Sequence, residues 1–376
     1  MAGLMHTPAA AEPAALAAPR AGDAPLLGAL LAAADLALLD QLARPVEHLR
    51  QPFWDPRTAT EAVRGLDPLA AAVVRLWCLG QTVEAAELTQ ALDGETVGEL
   101  VAAGLLARRD GERLAAPWRV ATVLQRHLLV TPPAHDDDFD AAAPVAYVGP
   151  ESLYFAPLVA GARRARRALD LGTGAGLLAL LAPAAEVVAV ELDPFAAAVA
   201  RFNVALGMHD HVSVREGSLF APVAGERFDL IVANPPFLPA PAGVALPACG
   251  DGGPNGDRVL RELIAGLPGH LDGDGRALVY GEDLGTLEEP HLADWLREHG
   301  AGDGFDATLH VTHTRYNERT ALRLTDLWRA CGASEQEAWD AWRELTERRP
   351  STHHHSFVLD VRPGSGRVVV RRPPRV

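Results

Sequence analysis

A glycine-rich stretch that follows a short apolar run is the first feature of this chain suited to ligand binding. The run ends at Asp170, and the turn continues Leu-Gly-Thr-Gly-Ala-Gly to Gly176. Glycines in such a turn let the backbone approach a ligand closely before a helix begins. The dinucleotide pattern GxGxxG fails, because its third glycine would fall at Leu177. The next apolar run ends at Glu191, a carboxylate suited to both hydroxyls of a ribose.

The tetrapeptide Asn-Pro-Pro-Phe at positions 234–237 is a second candidate, and it ends the apolar run 230–233. Two consecutive prolines also favour a turn that only terminates a strand. Its place downstream of the glycine-rich turn and Glu191 favours a functional role instead.

Together these motifs resemble those of the class I S-adenosylmethionine-dependent methyltransferases. DLGTGAG and VVAVELDP are similar to the first two motifs of that family, and NPPF to the fourth-strand motif of its N-methyltransferase branch. The resemblance covers roughly residues 147–376. It is strongest to the branch that holds release-factor glutamine methyltransferases, small rRNA guanine methyltransferases and their actinobacterial relatives. It implies S-adenosylmethionine as donor and S-adenosylhomocysteine as product.

The resemblance also implies which residues bind the donor. Asp170 is expected to fix the methionine ammonium, and Glu191 the ribose. The family's acid after the third strand, which contacts the adenine amine, is replaced here by Ser218, so that Ser218 and the Leu219 amide are expected to serve instead. The full predicted donor set is Asp170, Gly172, Thr173, Gly174, Gly176, Glu191, Leu192, Ser218, Leu219 and Asn234.

For the acceptor, the resemblance implies a nitrogen whose lone pair is delocalised. The Asn234 side-chain carbonyl and the Pro235 backbone carbonyl would accept its hydrogens and stabilise the positive charge that grows during transfer. Phe237 would stack on the planar acceptor. The long loop that follows supplies Asp251 and Asn255 as polar candidates for the acceptor pocket.

Three further groups of residues need an interpretation. The segment from Val148 to Ser152 resembles a donor-covering stretch, and it could equally anchor a linker. The run at positions 353–355 is three histidines. Since adjacent positions alternate across a strand, we expect a strand start with one inward histidine near the pocket and no metal. The tryptophans of the region between the last strands are expected to pack: Trp328, Trp339 and Trp342.

The catalytic motifs need a scaffold, and from Arg167 onward short apolar runs alternate with helical ones. That alternation predicts βαβ units in a Rossmann-like, doubly wound parallel sheet with helices on both faces. A helical insert at 334–349 is expected between the last strands. The predicted catalytic domain is 147–376, after a linker at 131–146.

The N-terminal part has a different pattern. After a predicted disordered tail at 1–25, helical spacing recurs at 26–43, 68–79, 82–92 and 96–106, and Asp110-Gly111 then marks a hairpin. Three helices before a hairpin predict a winged-helix-like domain within residues 26–130. Its third helix carries Glu99 and no Arg, Asn or Gln, so we expect packing, dimerisation or substrate covering rather than DNA reading. A homodimer would form through this domain.

Composition narrows the class of acceptor. Acidic residues outnumber basic ones by 49 to 34, for a formal charge of −15, which argues against a nucleic-acid partner. The three cysteines are far apart, and no apolar stretch is long enough to cross a bilayer, so a cytoplasmic location is expected. We therefore predict N-methylation of a small-molecule metabolite in specialised biosynthesis. The alternatives are a protein glutamine or rRNA base, O- or C-methylation on the same fold, and a ligand-sensing DNA-binding regulator.

Overall fold

The computed structural model describes residues 16–34, 63–132 and 144–372. The predicted tail at 1–25 and linker at 131–146 therefore fall largely outside the described residues, as does the second half of the helix predicted at 26–43. Within the described ranges, no helix is both long and apolar enough to cross a membrane.

The N-terminal part begins with helix α1 (Ala24–Ala33) and continues with α2 (Pro68–Val73), which a π-helical turn extends to Cys78. Asp67 caps α2, because its Oδ1 accepts the backbone N–H groups of Leu69 and Ala70 at 3.0 Å. The remaining elements are β1 (Thr82–Glu84), α3 (Ala85–Thr89), α4 (Gly94–Ala102), β2 (Ala107–Arg108) and β3 (Arg113–Ala115).

These strands form a small sheet in the order β1-β3-β2. The predicted hairpin is present, with Gly111 at φ +68° in the turn between β2 and β3. The prediction of helix from Thr82 was wrong for the first three residues. Thr82 and Val83 pair with β3 instead, and Val83 is buried, because β-branched side chains pack well on a sheet.

A second hairpin, β4 (Arg119–Val123) and β5 (Arg126–Val130), joins this part to the rest of the molecule. The hairpin packs mainly against helix α7 (Pro194–Leu206). Trp118 stacks on Phe195 of α7 with ring centroids 5.9 Å apart. The two parts of the chain consequently share one hydrophobic core.

The central sheet has eight strands in the order β13-β11-β12-β10-β9-β6-β7-β8. It is mixed, not wholly parallel as predicted, because β12 runs antiparallel to both of its neighbours. The strands are β6 (Ala165–Leu171), β7 (Ala184–Glu191), β8 (Val212–Glu216), β9 (Phe228–Ala233), β10 (Leu271–Gly285), β11 (Phe305–Tyr316), β12 (His353–Pro363) and β13 (Val368–Arg371).

Apolar side chains alternate between the two faces of this sheet. Ala168 belongs to the core shared with the N-terminal part, and Leu169 to a second core on the other face. The additional helices are α5 (Pro150–Ala160), α6 (Leu177–Leu181), α8 (Arg258–His270), α9 (Leu292–Asp303), α10 (Asn317–Ala330) and α11 (Glu335–Arg348).

The insert between β11 and β12 holds two helices, α10 and α11, where the sequence predicted one. Ser334 and Glu337 form a capping box at the start of α11. Trp328 and Trp342 are buried in a small core between the two helices, as predicted, whereas Trp339 is 37% exposed. The insert thereby forms a compact cover beside the carboxyl ends of β9 and β10.

Candidate active site at the carboxyl edge of the sheet

The glycine-rich turn connects β6 to α6, and three of its positions have backbone angles that favour glycine. Gly172, Gly174 and Gly176 have φ values of +71°, +54° and +92°. A Cβ on Gly172 or Gly174 would meet no atom within 4 Å, so these two border open space. A Cβ on Gly176 would lie 3.5 Å from the Cα of Ala200. The absence of a side chain at Gly176 therefore lets α7 pack closely against the turn.

Asp170 is fully buried behind this turn. Its Oδ2 accepts hydrogen bonds from Thr173 Oγ1 at 2.5 Å and from the Ala179 amide at 2.9 Å. Its Oδ1 is buried and has no partner. Burial raises the pKa of Asp170 to about 7 despite these hydrogen bonds. The free oxygen is a ready acceptor for a cationic ammonium group.

Glu191 faces the same turn from the end of β7. Its Oε2 accepts the Gly174 amide at 2.8 Å, and its Oε1 the Asp193 amide at 3.0 Å. Burial raises the pKa of Glu191, although these hydrogen bonds oppose the shift. Each carboxylate oxygen has a further lone pair, so two hydroxyl groups can still bind. Leu192, the next residue, is 62% exposed.

Ser218 and Leu219 follow β8 at the same edge of the sheet. The Gly217 amide donates to the Glu191 carbonyl at 2.8 Å, which fixes the loop beside the end of β7. Ser218 is exposed, and Leu219 has a positive φ of +44°. The predicted donor residues that follow β6, β7 and β8 therefore all lie at one edge of the sheet.

The Asn-Pro-Pro-Phe motif follows β9 at this edge. Asn234 Nδ2 donates to Ser152 Oγ at 3.0 Å, whereas Asn234 Oδ1 is buried and has no partner. Pro235 is buried. The Phe237 ring packs against Tyr280 of β10 with centroids 5.7 Å apart.

The motif reasoning missed several residues around Phe237. Glu282 of β10 is 6% exposed, and its carboxylate accepts hydrogen bonds from Ser356 at 2.9 Å and Arg323 at 3.1 Å. Burial acts to raise the pKa of Glu282, but His354, Arg323 and Arg315 outweigh it and hold the pKa below its ordinary value. The only available signal was an acidic pair, Glu282-Asp283, near the end of the apolar run that forms β10, and such pairs are common.

The loop after the motif is held by the insert. Trp328 Nε1 donates to the Pro239 carbonyl at 2.9 Å. Asp251 Oδ1 accepts a hydrogen bond from the Gly253 amide at 2.7 Å within the loop, and its contact with an acceptor stays a prediction. Asn255 lines a small pocket with Phe237 and Glu282, and its Oδ1 is buried without a partner.

The histidine run lies at the start of β12. The expected strand start is present, and all three side chains are buried, because β12 is an interior strand. His354 lines the pocket beside Phe237, and burial lowers its pKa to about 4. Among the residues at 16–34, 63–132 and 144–372, no group of three or more His, Cys, Asp and Glu is arranged to hold a metal ion.

Comparison with known proteins supports the predicted family. Residues 154–245 match the model of the methyltransferase small domain, and residues 55–117 match a domain of unknown function. The ribosomal protein uL3 glutamine methyltransferase of Bordetella pertussis is 37% identical over 146 residues, 35% of this chain and 48% of that protein. The release factor glutamine methyltransferase of Moorella thermoacetica is 38% identical over 130 residues, 31% of this chain and 46% of that protein.

Among solved structures, a ribosomal protein L11 methylase from Lactobacillus delbrueckii aligns with a TM-score of 0.35 and 20% identity, covering 65% of this chain and 98% of the other. The chain spans about half the length of the two curated relatives. The predicted resemblance to class I S-adenosylmethionine-dependent methyltransferases is confirmed by the family match.

The prediction of a small-molecule acceptor in specialised biosynthesis is wrong. The similar curated proteins are named for glutamine methylation of proteins, which was the stated alternative. The prediction failed because an acidic charge of −15 argues only against a polyanion. It does not separate a metabolite from a polypeptide.

Proposed function

We propose that this chain, which has the class I S-adenosylmethionine-dependent methyltransferase fold and matches the methyltransferase small domain family at residues 154–245, methylates the side-chain nitrogen of a glutamine in a protein. The observation that carries the proposal is the buried, unpartnered Oδ1 of Asn234 in the Asn-Pro-Pro-Phe motif. The names of the curated relatives favour glutamine as the acceptor.

The residues at the first two strand ends fit the donor. Asp170 Oδ1 has no partner and would bind the methionine ammonium. Glu191 would bind the ribose hydroxyls, while Gly172, Thr173, Gly174 and Gly176 leave room for the ligand backbone. Leu192, Ser218 and Leu219 would flank the adenine. When bound, S-adenosylmethionine supplies a methyl group on a positively charged sulfur.

The acceptor side would act on an amide nitrogen. Such a nitrogen is a poor nucleophile because its lone pair is shared with the carbonyl. Asn234 Oδ1 and the Pro235 carbonyl would accept its two N–H groups, which orients the nitrogen and stabilises the positive charge that develops on it. Phe237, held against Tyr280, would stack on the amide plane.

For the N-terminal part, we propose a winged-helix-like module within residues 26–130, followed by a catalytic domain at 147–376. The order helix, strand, helix, helix and β-hairpin from Pro68 to Ala115 supports this assignment. Its contacts with α7 favour a packing role over DNA reading.

The test is transfer of labelled methyl groups to purified release factors and ribosomal protein uL3 of the source organism. We expect label in one of these proteins, and peptide mass spectrometry should place one methyl group on a glutamine. Asn234→Ala should lower the rate by about 100-fold or more, a larger effect than any loss of affinity for S-adenosylhomocysteine through its predicted donor contact. Gln336→Ala, at an exposed amide on α11, is the matched control. Label that is removed by ribonuclease, or found only in small molecules, would contradict the proposal.

A further inference from the structure

We propose that Ser152 is a positioning residue that holds the Asn234 side chain ready for the acceptor nitrogen. This inference rests on the proposed function. It starts from a contact between two residues that are 82 positions apart, one in the first turn of α5 and the other at the end of β9.

The geometry assigns different tasks to the two ends of the Asn234 amide. Nδ2 donates to Ser152 Oγ at 3.0 Å, and Oδ1 has no partner. The two ends of a carboxamide are almost the same size, so hydrogen bonds rather than shape decide which end points where. An acceptor amide presents N–H donors, and Oδ1 can bind them whereas Nδ2 cannot.

Ser152 provides the partner that Nδ2 needs while Oδ1 faces the acceptor. The side chain of Asn234 depends on this partner because its backbone is already constrained: a residue before proline is restricted to extended conformations, and Pro235 is buried. Only the side-chain torsions remain free. Donation from Nδ2 to Ser152 also polarises the amide, which makes Oδ1 a better acceptor.

The sequence suggested that the segment 148–152 either covers the donor or anchors a linker. The contact with Asn234 places it beside the acceptor motif instead. Ser152 reaches the acceptor-aiming motif directly. Nearby in the same turn, Glu151 is half-buried, and its desolvation raises its pKa, with the charge of Glu282 adding to the shift. The first turn of α5 is therefore packed against the acceptor side of the site.

The test compares Ser152→Ala and Ser152→Thr in the methyl-transfer assay. We expect Ser152→Ala to lower kcat about tenfold, the equivalent of one lost hydrogen bond, without changing the Kd for S-adenosylhomocysteine. Ser152→Thr keeps a hydroxyl and should retain most of the activity. In an Asn234→Ala background measured under single-turnover conditions, Ser152→Ala should cause no further loss, because Ser152 acts through Asn234.

Two results would overturn the proposal: wild-type kcat in Ser152→Ala, or the same tenfold loss in both backgrounds. A second measurement needs no methyl transfer. The chain has four asparagines, Asn203, Asn234, Asn255 and Asn317, so nitrogen-15 labelling of asparagine yields a simple side-chain amide spectrum. Ser152→Ala should shift the Asn234 signal, and Ser152→Thr should shift it less. An unchanged Asn234 signal would reject the contact, even if no protein acceptor is found. If the signal shifts but no acceptor protein is methylated, only the proposed function is rejected.

Discussion

The side-chain amide of Asn203 binds both backbone groups of Leu129 across the boundary between the N-terminal and catalytic parts. Asn203 Oδ1 accepts the Leu129 amide at 2.7 Å, and Nδ2 donates to the Leu129 carbonyl at 2.9 Å. Nδ2 also donates to the carbonyl of Ala175, within the glycine-rich turn, at 2.8 Å. A single buried side chain thus connects β5 to the glycine-rich turn.

Replacing Asn203 should weaken both folding and donor binding. Asn203→Ala leaves one N–H and two carbonyl groups without partners in a dry site, so we expect the free energy of unfolding to fall by about 3 kcal/mol. The Kd for S-adenosylhomocysteine should rise several-fold, because the Ala175 carbonyl is released. Denaturant unfolding and calorimetric titration measure the two effects.

Arg201→Ala on the same helix is the control for that variant. Arg201 forms a solvent-exposed ion pair with Glu216, which should contribute less than about 1 kcal/mol. Equal effects of the two variants would show that the link through Asn203 has no special importance.

Donor binding should depend on pH through Asp170. Burial raises its pKa to about 7, and a bound ammonium group favours the ionised carboxylate, so binding should release a proton. The affinity for S-adenosylhomocysteine is expected to increase as the pH rises toward about 7 and to level off above it. Titrations in buffers of different ionisation enthalpy would measure the proton release. Asp170→Asn should bind weakly and without this pH dependence.

The raised pKa of Asp170 makes the folded protein less stable as the pH rises, whereas it makes donor binding stronger. The folded protein retains a proton that the unfolded chain, at the ordinary pKa of 3.8, releases, so Asp170 lowers stability as the pH rises from about 4 to about 7. Asp170→Asn should therefore gain stability relative to the wild type across that range. A constant difference between the two proteins would contradict the raised pKa.

Trp328 and Trp339, two of the three tryptophans of the insert, offer a matched pair of substitutions. Trp328→Phe removes the hydrogen bond to the Pro239 carbonyl but keeps most of the ring, so we expect a loss of about 1 kcal/mol of stability. The KM for the protein acceptor should increase several-fold, because Pro239 belongs to the loop after the acceptor motif. Trp339→Phe changes a half-exposed ring and should leave both quantities nearly unchanged.

Cys249 should report on occupancy of the donor site. It is exposed, whereas Cys78 is buried, and desolvation by surrounding protein atoms together with Glu191, Glu151 and Asp193 raises the pKa of the Cys249 thiol to about 11. Alkylation should therefore be slow near neutral pH and accelerate with increasing pH. S-adenosylhomocysteine should protect Cys249 but not Cys331. Equal labelling with and without it would place Cys249 away from the bound donor.

Local sequence was sufficient to predict the turn after Asp170 and the position of Glu191 at the end of the next strand. The turn after Asp170 needs positive φ angles at Gly172, Gly174 and Gly176, and only glycine adopts them without strain. Glu191 stands at the end of the next strand, and parallel strands that are neighbours bring their carboxyl ends together. Short-range spacing and the rules of βαβ units therefore define these positions.

The sequence did not reveal the partners that these motifs acquire from distant elements. Ser152 and Asn234 meet because the start of α5 lies beside the end of β9, and Asn203 and Leu129 meet because α7 packs against β5. No local pattern in the sequence encodes either contact. The antiparallel placement of β12 is likewise a property of the assembled sheet, and it buries three consecutive histidines that an isolated strand would divide between two environments. The sequence by itself determined the motifs and the backbone turns that bear them. The tertiary structure decided which polar atoms find partners and which, as at Asp170 Oδ1 and Asn234 Oδ1, remain without one, because burial and pairing depend on contacts between remote parts of the chain.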